Sequence, residues 1–426
     1  MGQHDGSNYA TVHFYSTSHY DASDRKNSVN QYIGTPFGNR PVMVYQFYNS
    51  WMYKFSNEDL TNVAWERING DTPLEAFQGY CVISAENEMN PGHVYTMSGQ
   101  LVASSDVANN SILCRIKGAE GNTLANNENM LANSWMAPIK INAFNPATDF
   151  DSVSATIYIF NSGSLNQFND KDITGSGPSQ YSTYTIGTAN DADVIPAMQA
   201  FSVFTYGVPE GQPAIRLNFN RLVYAPAVAG LTPQPNKAPR RVKVEREEAN
   251  KLRLYVRAAS GYGDMLYMWE HANFEEGYEN GWDGGKMYGE GGVPQLYAIT
   301  PDGKMAVNCV PNYEGVQIGF KAGEDDAVYT FTFEYEADAE VLYLHDKQTG
   351  EYTRIVSGNS YAFATSDKSE HARFELTRNA PQVATGELTT SGEEIPVHGT
   401  YKFIEDDKLL IYRNGRLYDA TGVMLK

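Results

Sequence analysis

Along Val328–Tyr335 the chain reads V-Y-T-F-T-F-E-Y, which sets Tyr329, Phe331, Phe333 and Tyr335 on one side of an extended backbone. Strand side chains alternate between two faces, whereas a helix repeats its apolar stripe roughly every 3.6 residues, so this stretch reads as a half-buried strand. The pattern recurs. Leu252, Leu254 and Val256 oppose Arg253, Tyr255 and Arg257, and Ile215, Leu217 and Phe219 oppose Arg216, Asn218 and Asn220. Thr156–Phe160 (TIYIF) is apolar throughout, as a strand covered on both faces should be. Turn signals punctuate the runs at Pro301-Asp302-Gly303, Gln348-Thr349-Gly350 and Asn414-Gly415. Sustained helical periodicity is absent, and Asn57–Ile68 is the one place where a short helix is expected. The fold class is therefore all-β, with antiparallel sandwiches of jelly-roll type favoured over a barrel.

A chain of 426 residues exceeds one ordinary core. The clearest break is Leu231–Arg241 (LTPQPNKAPRR), and a second follows Arg378, where aromatics give way to small polar residues. The expected organisation is a domain over 1–230, a Pro-rich linker over 231–241, a second domain over 242–380 and a C-terminal β-module over 393–426. In that tail Tyr401–Ile404, Leu409–Tyr412 and Arg416–Tyr418 read as a meander turned by Asp406-Asp407 and Asn414-Gly415. Such a piece is too small to stand alone and should dock on something.

Charge narrows the partners. The net charge is −19, and binding phosphate requires basic patches, so nucleic acid and anionic membrane surfaces are not expected as partners. Cations, neutral glycans and proteins remain. No apolar run is long enough to span a membrane. The opening MGQHDGSNY has no apolar h-region, so an exported form is expected to have lost its leader or to be a piece of something longer. The three cysteines, Cys81, Cys114 and Cys309, match no zinc or redox spacing and lie in apolar runs. They read as buried thiols, with a Cys81–Cys114 disulfide as the alternative that export would permit.

One connection stands out chemically. Asn280–Tyr297 (NGWDGGKMYGEGGVPQLY) packs glycines around Trp282, Asp283 and Lys286. Glycines at this density imply positive φ angles or close chain approach. Trp282 with Asp283, Glu275 and Glu276 could stack on a sugar and bind its hydroxyls. The same carboxylates, with Glu279 and Glu290, could hold Ca²⁺, which accepts several oxygens in a flexible loop. The plainer reading is a structural corner, with Trp282 packed inward and Asp283 capping backbone N–H groups. Asp170 and Asp172, in D-x-D-x-T-G, match the first half of a Ca²⁺ loop, but Tyr181 stands where the bidentate glutamate belongs. Trp51 and Tyr53, with Phe55, form an aromatic stripe on Tyr45–Phe55 that suits sugar stacking if exposed and core packing if not.

Catalytic signatures are thin. No G-x-S-x-G elbow, P-loop, dinucleotide fingerprint or H-E-x-x-H arrangement occurs. Glycoside hydrolysis needs only two carboxylates, for which Glu270 with Glu275 or Glu276 is the nominal pair. No cofactor is expected, and Ca²⁺ is the one ion that the acidic loops suit.

An ordered set of segments carries a family resemblance: NQYIGTPF (30–37), FQGYCVI (77–83), MSGQLV (97–102), LANSWMAPIKI (131–141), IYIFNSG (157–163), IPAMQAFSV (195–203), then the Asn280–Tyr297 loop. These segments resemble the β-rich C-terminal modules of large Bacteroidetes-type secreted and surface proteins, adhesin-like and associated with type IX secretion. The tail LLIYRNGRLYDATGVMLK is similar to their C-terminal ends, which implies a sorting role read by export machinery. Asp151-Ser152-Val153 resembles the acceptor pattern for O-linked glycans in such proteins. The resemblance implies a secreted or outer-surface location and a non-catalytic adhesion or presentation role, with a glycan or a host surface protein as partner. The alternatives are a glycan-active hydrolase on a jelly-roll-like sandwich and a purely structural stalk of a longer protein.

Overall fold

The computed structural model describes residues 9–20, 28–38, 42–56, 64–85, 93–102, 111–114, 127–162, 179–206, 213–218, 222–223, 248–289, 292–325, 327–337, 341–365, 367–380, 400–405, 408–413, 416–419 and 423–425. Among the described residues nearly every element is a strand, and the pairings between strands are antiparallel save one. That exception joins Gly263–Glu270 to Gly303–Val310 in parallel.

Strands from residue 250 to 377 form one eleven-stranded sheet. Its long central members are Asn250–Ala258, Gly263–Glu270 and Ala327–Glu336. The alternation in the last sorts as its sequence predicts: Tyr329, Phe331 and Phe333 are buried and Tyr335 is half-buried. The sheet curls so that members distant in strand order meet across the core. Phe331 lies 4.9 Å from Phe374, and Phe320 lies 5.1 Å from Phe363, edge to face. Such ring pairs add to the burial of their surface. The turns at Pro301-Asp302-Gly303 and Gln348-Thr349-Gly350 join adjacent strands as expected.

Strands before residue 217 make smaller sheets. One four-stranded sheet runs Gln31–Ile33, Tyr80–Ser84, Ser50–Ser56, Ala64–Arg67. A second runs Gln180–Thr185, Thr156–Asn161, Ala200–Phe204, Glu128–Ala132, with Thr156–Asn161 inside it. Bridges Ile33↔Gln199 and Gln78↔Leu131 connect the two, and Tyr9–Ser16 pairs with His93–Gln100 alongside.

Two expectations are corrected. The helix expected within Asn57–Ile68 does not form over its described part, because Ala64–Arg67 is a strand paired with Tyr53–Ser56. There Trp65 faces Phe55 across the strands at 5.3 Å, a contact that outweighs local helix preference. Cys81, Cys114 and Cys309 are all buried thiols, so the Cys81–Cys114 disulfide is not made. Burial pushes the Cys114 thiol up to about 12.

The tail forms a three-stranded meander of Thr400–Glu405, Lys408–Arg413 and Arg416–Asp419. Its two turn dipeptides and the Leu231–Arg241 stretch lie outside the described residues.

Candidate functional site

The glycine-rich loop lies in a seam between the large sheet and the strand pair Thr156–Asn161/Gln180–Thr185. Gly187 N donates to Gly281 O at 2.6 Å, and Ala155 N donates to Asn280 Oδ1 at 2.9 Å. Thr156 Oγ1 donates to Asp283 O at 3.3 Å, and the Ser154 and Tyr278 hydroxyls share a bond of 2.9 Å. Gln180 Nε2 donates to Gln295 Oε1 at 3.1 Å, extending the seam. Close approach explains two of the glycines. A Cβ at Gly187 would come within 2.5 Å of the Trp282 ring, and one at Gly284 within 2.8 Å of Thr183 Cγ2.

The loop's reactive-looking residues face inward. Trp282 packs against Phe274 at 5.1 Å and Trp269 at 6.1 Å. Asp283 is only 2% exposed, and its two oxygens accept from Glu279 N and Cys309 N, both at 2.7 Å. Lys286 and Asp264 form an ion pair of 2.5 Å with both side chains 1% exposed. Asp264 also accepts from Leu296 N and Met265 N. Burial pushes its carboxyl up, against the opposing pull of the Lys286 ammonium and those N–H groups.

The acidic residues flanking the loop are dispersed. Glu275 and Glu276 are exposed, while Glu270 is buried. Glu270 accepts both contacts of Arg378 Nη2, at 2.7 and 2.8 Å, and further bonds from Tyr313 N and Asn250 Nδ2. A carboxylate so engaged is a structural anchor, with little freedom to act as an acid on a substrate. Among the described residues no three His, Cys, Asp or Glu side chains are placed to hold a metal ion. Asp170, Asp172 and Glu290 lie outside the described residues.

The aromatic stripe divides. Met52 points into the core at 1% exposure, and Trp51 meets Tyr20 edge-on at 5.1 Å. Tyr53 and Phe55 pack with Trp65 against a buried aromatic cluster around Tyr32 and Phe160. The same run continues backwards into a surface recess that the sequence reading did not single out. It encloses about 300 Å³ between Val44–Ser50 and Arg67–Gly70. Its floor is Val44, Phe47 and Met52, all buried, and Tyr45 and Tyr48 rise from its rim, each 60% exposed. Asn49 takes a φ of 54°, a turn conformation that asparagine tolerates, and this carries the chain from the rim into Ser50–Ser56.

A second group was also missed. Glu128, 8% exposed, accepts from Ser202 Oγ at 2.5 Å beside Met130 and Tyr158. Burial pushes its carboxyl up to about 7. Ser202 and Tyr158 come from strands distant in sequence, and no local motif announces the group.

No family model matches the chain, and no solved structure matches it. One curated protein is similar along nearly the whole of this chain. That relative is the minor fimbrium subunit Mfa5 of Porphyromonas gingivalis. The two are 27% identical over 441 residues, covering 94% of this chain and 33% of Mfa5. The chain thus spans a third of the length of the relative it matches. Mfa5 comes from a member of the Bacteroidetes, the group to which the sequence resemblance points. No described helix is long and apolar enough to cross a membrane.

Proposed function

We propose that this chain is a non-catalytic segment of a secreted or cell-surface fimbrium-type protein, serving adhesion or presentation. In this reading two β-sandwich domains, over 1–230 and 242–380, act as one unit. The module at 393–426 addresses the protein to export machinery. The observation that carries the reading is the fate of the Asn280–Gly289 loop. The residues that look most like a ligand grip are consumed inside the protein: Trp282 lies over Gly187 across the seam, the Asp283 carboxylate caps Glu279 N and Cys309 N, and Lys286 pairs with Asp264 within the large sheet. A rigid presenting surface needs such a joint, while a catalytic centre needs its charged groups free at a cleft. The likeness to a fimbrium subunit supports a surface location and assembly with other proteins. What the segment would present is a recognition surface for a glycan or a host protein, and the recess beside Tyr45 and Tyr48 is the place assigned to it here.

The test is surface shaving of intact cells that make the protein in its natural host. Protease should release peptides of this chain without lysis, and deleting 393–426 should leave a folded protein inside the cell. Recovery of the chain only after lysis would refute the surface reading, and unchanged display after the deletion would remove the export role.

A further inference from the structure

We propose that the recess between Val44–Ser50 and Arg67–Gly70 binds a sugar residue bearing a carboxylate, an inference that deepens the adhesion reading above and rests on it. Val44, Phe47 and Met52 are packed beneath the recess, at 7%, 2% and 1% exposure, and its open lining is mainly polar. Binding sites commonly combine such a floor with a few convergent polar groups, and about 300 Å³ is at the lower end of their size. Here the polar groups stand on the rim. Tyr45 and Tyr48 offer ring faces for the C–H face of a pyranose and hydroxyls for its oxygens. The Tyr48 ring is held edge-on against His93 at 4.8 Å, so part of the ordering cost of binding is already met.

The charge of the ligand follows from Arg67. Arg67 lines the recess and is exposed, and among the described residues no carboxylate lies within ion-pair distance of it. In a chain of net charge −19, an arginine left unpaired beside an aromatic recess is a local exception to the surrounding field. Its fork of donors matches a carboxylate in two parallel hydrogen bonds. Asn69, next but one in the chain, adds an amide that has no hydrogen-bond partner among the described residues. Ring faces select the sugar and the guanidinium selects the acid.

The experiment uses the full chain and saturation-transfer NMR with the methyl glycosides of glucuronic acid, N-acetylneuraminic acid and glucose, and with an acidic peptide. The expected result is transfer to at least one acidic sugar and weaker binding of methyl glucoside. Arg67→Gln should lower affinity for the acidic sugar roughly ten- to a hundredfold, the range for a charge-assisted pair, and erase the preference over glucose. Tyr48→Ala should weaken both, and Arg216→Gln, whose partner is Asp151 on the surface, should change neither. Both rim positions are exposed, so each variant should melt with the parent protein. Absence of transfer to either acidic sugar overturns the inference, as does binding indifferent to both Arg67→Gln and Tyr48→Ala. Binding of glucose or of the peptide alone also overturns it while leaving the adhesion reading intact. Failure of surface shaving removes that reading whatever the sugars do.

Discussion

Trp282 lies so close over Gly187 that the hydrogen atoms of glycine are the largest substituent the contact admits: a Cβ there would reach 2.5 Å from the indole and 2.6 Å from Gly281 O. The two residues belong to different sheet systems and are 95 positions apart in the sequence (282 − 187). Gly187→Ala should therefore overpack the seam and cost about 1–3 kcal/mol. Differential scanning calorimetry should show the melting temperature lowered by several degrees. Gly70→Ala is the control, since its nearest neighbour would be Tyr45 Cβ at an ordinary 3.6 Å. Equal melting of the two variants would contradict the contact.

Removing one member of the Lys286–Asp264 pair leaves a buried charge without its partner. Lys286→Met alone is expected to cost about 3–5 kcal/mol, whereas Lys286→Met with Asp264→Asn should recover much of that loss, because the neutral amide leaves no unpaired charge and keeps an oxygen for the Leu296 N–H. Chemical denaturation of the three proteins measures the coupling. Additive losses would show that the pair does not interact.

Glu128 predicts a specific pH dependence. Its folded-state pKa of about 7 lies above the ordinary value of 4.5, so the native state holds the proton more tightly than the unfolded chain. This contribution is complete below about pH 4.5 and is lost as pH rises through about 7. At roughly 1.4 kcal/mol per unit, the full effect is on the order of 3 kcal/mol. Glu128→Gln keeps the shape and removes the titration. Its stability relative to the parent should improve from pH 4.5 to 7.5, and a difference independent of pH would refute the assignment.

The cysteines give a simple chemical check. All three should resist alkylation in the native protein and react fully once it is unfolded, with no reductant present. A native protein that yields only one reactive thiol on unfolding would contain the disulfide that the structure lacks.

Strand existence was legible wherever burial is one-sided. The alternation at Tyr329, Phe331 and Phe333, and that at Leu252, Leu254 and Val256, mark the two neighbouring strands of the large sheet. Asp283 as a backbone cap was also readable, because a carboxylate among glycines has few other local uses. What the loop packs on was not readable. Gly187, Ala155 and Thr156 carry no mark that they will meet Asn280, Gly281 and Asp283. Ala64–Arg67 became a strand through the partner that Tyr53–Ser56 supplies, which no local propensity encodes. Glu128 and Arg67 were missed for opposite reasons. One is unusual for being buried and the other for being unpaired, and both conditions are set by residues far away in the chain.

The seam also decides how the molecule would respond to a pull. A chain whose halves met only through Leu231–Arg241 would pass tension along a single covalent thread. Here the Gly187–Gly281, Ala155–Asn280 and Thr156–Asp283 bonds offer a second route that bypasses that stretch and enters the sheets directly. Several hydrogen bonds sharing a stress yield later than the same bonds broken in turn. In the surface role proposed above, a pull would part the two sheet systems only after the glycine loop had been torn away from Gly187.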